Sequence, residues 1–171
     1  MLLFAGAAPA FAAGWMARPT VPAAIAVPPA AKLTAHFHAV GAQVYVCAQA
    51  GAAGGPWSWT LKAPDAKLLD EKGKPAGTHG AGPVWTSSDG SSVAAKKSAQ
   101  ADAPSPGAIP WLLLRAEKTT GAGVFSHVAY VQRVATKNGT PPTAKCDVTM
   151  GGAENRVDYS ADYYFYSAPP G

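Results

Sequence analysis

The stretch LTAHFHAVGAQVYVC, residues 33–47, has a period of two. Leu33, Ala35, Phe37 and Ala39 fall on one face, while Thr34, His36 and His38 fall on the other. Its second half, QVYVC (43–47), is β-branched and aromatic. Such alternation belongs to a strand, whose successive side chains point to opposite faces; a helix would repeat its apolar residues three or four positions apart. The same period recurs downstream. WSWTL (57–61) sets Trp57, Trp59 and Leu61 against Ser58 and Thr60, VFSHVAYVQRVAT (124–136) alternates again, and YSADYYFYS (159–167) makes an aromatic last strand. Trp111 to Leu114 is apolar on both faces, as in a strand covered on two sides, with Pro106 and Pro110 confining its start. Ser87-Ser88-Asp89-Gly90 stands between VWT and SVAAK as a hairpin turn, and Asn138-Gly139 makes another. About eight strands without a long helix predict a single-domain, all-β antiparallel β-sandwich or barrel.

Composition points to export. Charged residues are 14% of the 171, against a usual ~25%, so the surface is largely uncharged. The net charge is +4 and only Lys96-Lys97 are adjacent basic residues, which leaves no stripe to track a phosphate backbone and excludes nucleic acid as a partner. Residues 1–12 resemble a signal peptide: an apolar run from Leu2 to Ala8 is followed by Ala8-Pro9-Ala10 and Ala10-Phe11-Ala12, both shaped for a signal peptidase. The run is too short to span a bilayer. No Lys or Arg precedes it, which fits a start further upstream. Residues 13–31 form a Pro/Ala-rich leader expected to be extended, with little to pack, and the all-β domain is expected over 32–171. A secreted, periplasmic or extracellular location favours pairing Cys47 with Cys146. Closing so long a loop restricts the unfolded chain by ~4.7 kcal/mol in the chain-entropy treatment.

Several stretches together resemble one family: GAQVYVC, GTHGAGPVWTSSDGSSV, APSPGAIPWLLLRA, GAGVFSHVAYVQRV, KCDV and YSADYYFY. It is a domain-of-unknown-function family of exported bacterial and filamentous-fungal proteins, some of whose members carry the label malate dehydrogenase. The likeness covers about residues 33–167 and implies that Cys47, His79, Gly82, Pro83, Trp85, Asp89, Gly90, Ser91, Pro110, Trp111, Gly123, Arg133, Cys146, Asp162 and Tyr166 match its pattern. Asp158 departs from it, standing where the family tends to carry proline. The dehydrogenase label fails on physical grounds. A nicotinamide site needs a glycine-rich turn from strand to helix and an acidic residue about twenty positions on, and neither GAAGG (51–55) nor GAG (121–123) leads into a helix. No cofactor is expected.

Three function classes remain. The leading one is a non-catalytic ligand-binding domain for a carbohydrate or a small aromatic or apolar molecule. Its site is expected near loop 77–91, with His79, Trp85, Asp89, Tyr164 and Tyr166 contributing, because the tryptophans and tyrosines exceed what one small core needs. The second is an extracellular enzyme, metal-dependent or hydrolytic, using His79 and Asp89. His36 and His38 share a strand face and His127 or His79 would have to supply a third metal ligand, whereas no G-x-S-x-G elbow supports a serine hydrolase. The third is a structural cell-envelope or spore-surface protein.

Overall fold

A computed structural model describes residues 17–51 and 54–169. The signal-like segment and the start of the leader lie outside the described residues. Eight antiparallel strands run in chain order around one closed barrel: β1 (Lys32–Gln49), β2 (Trp57–Leu69), β3 (Pro75–Gly80), β4 (Val84–Ser87), β5 (Ser92–Ala101), β6 (Trp111–Thr120), β7 (Val128–Asn138) and β8 (Glu154–Ser167). Of the two architectures the alternation allows, the barrel is the one formed, with β8 pairing along β1 to close it. Short 3₁₀ turns occur at Ala23–Ile25 and Val148–Met150, and among the described residues no helix is long and apolar enough to cross a membrane.

The period of two becomes inside and outside. Ala35, Phe37 and Ala39 of β1 join Tyr159, Ala161, Tyr163 and Phe165 of β8 in the buried interior, with Trp85, Leu114 and Val131 arriving from other strands and Phe125 from the loop before β7. β1 is one continuous strand because Gly41 lets β2 approach: a Cβ there would stand 2.2 Å from the Asp65 carbonyl oxygen. Leu33 does not share the inner face of Phe37. The register of β1 on β8 shifts between Leu33 and Ala35, and that irregularity turns Leu33 to a second apolar cluster on the outside of the barrel.

That second cluster is built by the leader. Val27 and Ala31 bury against Tyr166, with Leu33, Leu113, Tyr130 and Tyr164 around them. Ile25 is wholly buried, its carbonyl accepts from Gln132 Nε2 at 2.7 Å, and Gln132 Oε1 accepts from the Tyr166 hydroxyl at 2.6 Å. Arg18 lies over the Tyr166 ring, 5.3 Å from its centroid. The segment is therefore a strap with its own packing residues, contrary to the expectation that it has little to pack. It also explains why Trp111 to Leu114 is apolar on both faces: Leu112 and Leu114 turn to the interior, and Leu113 lies under the strap.

Two long-range ties hold the ends of the barrel. Cys47 and Cys146 form the expected disulfide, with Cα atoms 5.6 Å apart and a sequence separation of 99. Beside it Trp59 Nε1 donates to the Ala144 carbonyl at 2.8 Å. At the β4–β5 turn, Asp89 Oδ1 accepts from the Ser91 amide and hydroxyl at 2.8 and 2.6 Å, while Oδ2 accepts from the Val124 amide at 2.8 Å. Ser91 Oγ in turn accepts from the Phe125 amide at 3.1 Å. The Asp-Gly hairpin is thus stitched to the loop that precedes β7.

Candidate functional site

The strands are unequal in length, and the barrel wall is incomplete as a result. β3 pairs with β2 only from Ala66 to Leu69, and β4 pairs with β5 only from Ser92 to Ala94. The first half of β2 and the second half of β5 consequently have no strand between them, and the β3–β4 turn forms a sill below the opening. Gly82 at the tip of this turn takes φ +97, a left-handed conformation that side-chain-bearing residues avoid. Behind the opening lies a cavity of about 370 Å³, within the size range of small-molecule sites. Leu61 to Pro64 border it on one side, Ala95 to Lys97 on the other, and Pro83 below.

The floor is aromatic and polar. His79 and Trp85 are directly opposed across β3 and β4, and their rings stack with centroids 4.3 Å apart and planes 5° from parallel. Tyr163 meets both edge-on, at 5.0 Å from His79 and 5.3 Å from Trp85. His79 Nδ1 lies 3.0 Å from the Val84 carbonyl oxygen. A carbonyl only accepts, so Nδ1 carries the proton and Nε2 presents a lone pair. Burial pushes the imidazole down to about 4, overriding the Val84 bond, and the nearby Arg133 charge adds to the effect. His79 is neutral at physiological pH.

Three polar groups of this floor are buried without a hydrogen-bond partner: Trp85 Nε1, Gln43 Nε2 and the Tyr163 hydroxyl, on side chains each 1% exposed. A buried polar group left unpaired costs roughly 1–3 kcal/mol, so three of them on residues that line one cavity call for an explanation. Arg133 lines the cavity from β7, directly paired with Leu112 of β6 on one side and Tyr163 of β8 on the other. Its Nε and Nη2 both donate to the Pro110 carbonyl, at 3.1 and 2.7 Å, and among the described residues it forms no ion pair with a carboxylate. The Tyr163 phenol is pushed up by burial, with the Arg133 charge and the Tyr159 hydroxyl acting against that rise.

The sequence-derived site residues divide sharply. His79 and Trp85 converge on the cavity, whereas Asp89 does not line it. The Asp89 carboxyl is held down at about 2 by the Ser91 hydroxyl, then by the Val124 and Ser91 amides, so its oxygens are engaged in the turn and none reaches His79. The pairing of His79 with Asp89 for acid–base chemistry is not formed. Tyr164 and Tyr166 lie on the outer face: Tyr166 is under the strap, and Tyr164 stacks on His36 with centroids 4.2 Å apart. Among the described residues no tryptophan or tyrosine is exposed.

His36 and His38 share the Asp162 carboxylate, with His38 Nδ1 at 2.7 Å and His36 Nε2 at 3.6 Å from Oδ1. Burial raises the Asp162 carboxyl, but its hydrogen bonds to the two histidines outweigh burial and hold it below its ordinary value. His127 is exposed in the turn before β7. Among the described residues no group of three or more His, Cys, Asp or Glu is placed to hold a metal ion.

Sequence reasoning alone passed over Gln43 and Leu112, and took Tyr163 only as one of a surplus of aromatics. The signal for Gln43 was its phase: it falls two residues beyond Gly41 on the inner series of Phe37 and Ala39, where an amide has no business unless it meets a polar partner. Arg133 carries the same signal, two residues beyond the buried Val131. No curated protein and no solved structure matches the chain. Residues 28–167, however, match the model of a family described as a protein of unknown function, DUF3455. With the whole barrel inside that match, the chain belongs to the DUF3455 family.

Proposed function

We propose that the protein is an exported binding protein that takes a small planar molecule into the barrel through the gap between β2 and β5. The observation that carries this reading is the set of buried, unpartnered polar groups, Trp85 Nε1, Gln43 Nε2 and the Tyr163 hydroxyl, on residues that line a cavity of about 370 Å³. A protein that needed only a core would fill that space with aliphatic side chains or pair the donors. A bound molecule supplies the acceptors. The disulfide agrees with an oxidising compartment outside the cytoplasm.

Between the two ligand classes expected from sequence, the geometry favours a small ring enclosed in the barrel over a sugar laid on an aromatic platform. One face of Trp85 is covered by His79 and its flanks by Tyr163 and Phe165, so the indole offers its N–H edge more readily than a flat face. The test is a ligand-observed NMR screen of the purified protein against small aromatic compounds and a glycan set. Ala95→Leu, which adds bulk at a fully buried position on the cavity wall, is screened alongside. Aromatic hits that weaken in the variant support the reading. Binding unaffected by the substitution, or binding of glycans alone, refutes it.

A further inference from the structure

We infer that the ligand is an organic anion, a planar ring bearing a carboxylate, with Arg133 holding the carboxylate and the Trp85 and Gln43 side chains completing its hydrogen bonds. The inference rests on the cavity being a ligand site and specifies what that site selects. It comes from the inventory of groups around the cavity. Trp85 offers one indole N–H and Gln43 an amide nitrogen, both buried and unpartnered. Arg133 is half-buried, fixed by two N–H groups on the single Pro110 carbonyl, and its planar fork has further donors in a geometry that matches a carboxylate. Register places Lys97 opposite Leu114, exposed at the mouth of the cavity, and its ammonium donates to Gln100 Oε1 at 3.0 Å.

Acceptors are scarce by comparison. His79, neutral and bonded through Nδ1 to Val84, contributes one ring nitrogen lone pair, and the unpartnered Tyr163 hydroxyl can accept or donate. The rim carries Lys62, Lys96 and Lys97 against a single carboxylate, Glu117, and Lys62 is already paired with Glu154. A cavity with several donors, an unneutralised guanidinium and a basic mouth is matched to a guest rich in acceptors and negative in charge. A half-buried cation without a counter-ion is itself unfavourable, and an anionic guest relieves it. The remaining wall is apolar: Leu61, Leu112 and Leu114 give a ring somewhere to lie. These features together specify a charged head on a flat apolar body.

Isothermal titration of the intact protein with benzoate and 2-naphthoate, and with their neutral primary amides, separates the outcomes. The acids are expected to bind at least about tenfold more tightly than the amides at low salt, the worth of one charge-assisted hydrogen bond, and Arg133→Met is expected to level the two series. Should Arg133→Met fail to fold by circular dichroism, Lys97→Gln at an exposed position is expected to weaken the acids several-fold and leave the amides unchanged. Amides that bind as well as acids overturn the anion assignment and leave the cavity reading standing. Inorganic phosphate that displaces naphthoate at equal concentration overturns the organic part of it. If no ring compound binds, charged or neutral, the cavity reading falls as well.

Discussion

Replacing Ile25 by alanine tests whether the strap belongs to the folded unit. Ile25 is 0% exposed although it lies before the first strand, and its neighbours Val27 and Ala31 seal Tyr166 against the outside of the barrel. At about 0.8 kcal/mol for each buried carbon removed, transfer alone accounts for about 2.4 kcal/mol. A residual cavity would add to this, and buried Ile→Ala changes span roughly 2–5 kcal/mol. The strap is backed by solvent and can settle inward, so the lower part of that range, about 2–3 kcal/mol, is expected. Urea unfolding followed by circular dichroism is the assay. With a slope of about 1–3 kcal/mol per molar for a domain of this size, the midpoint falls by about 1 M or more while the slope stays unchanged. Truncation before Pro28 should cost still more, because it also strips Gln132 Nε2 of its acceptor. A midpoint that moves by less than the equivalent of ~0.5 kcal/mol would refute the reasoning, since the strap would then be resting on the barrel without contributing to its cooperative stability.

Three further outcomes are expected. Removing the disulfide with Cys47→Ala and Cys146→Ala should cost about 2–5 kcal/mol in the same urea assay, given the length of the loop it closes; an unchanged midpoint would contradict it. His79, lowered from 6.5 to about 4, is neutral when folded, so its contribution is complete above pH 6.5 and is lost as pH falls from there toward 4. The full loss is about 3 kcal/mol, and His79→Phe, which keeps a ring on Trp85, should flatten the pH dependence of stability over that window. Asp89→Asn should accelerate hydrogen exchange at the amides of Val124 and Phe125, which depend on Asp89 and Ser91; unaltered exchange there would show that the turn does not need the carboxylate.

The elements legible in the sequence were those governed by local rules. Alternation in LTAHFHA put Phe37 inside and His36 and His38 outside, and the Asp-Gly pair placed the β4–β5 hairpin, because both depend on neighbours within a few residues. His79 and Trp85 were legible as residues worth testing, since they stand close together among the glycines and proline of the 77–91 loop. Asp89 was not separable from them by sequence distance. Ten residues from His79, it lies on the far side of a hairpin whose geometry sends its carboxylate to Val124, 35 positions away. Tyr164 and Tyr166 were misplaced for a simpler reason: period two says that they share a face, but only the closed topology says which face is inside. The strap was missed because its packing depends on a partner surface, Tyr166 and Leu113, that does not exist until the barrel closes.

The gap in the wall has one more consequence. A strand whose backbone N–H and C=O groups lack a neighbour is a template for pairing with another chain, and proteins guard such edges with lysine and proline. The borders of the gap carry Lys62 and Pro64 on β2 and Lys96 and Lys97 on β5. If the proposed binding function holds, these residues would serve two ends at once, drawing a small guest toward the opening and denying the same opening to a foreign strand. Neutralising the lysines would loosen both, and a variant selected for weaker anion capture would be expected to reveal itself first as a protein that sticks to its own copies.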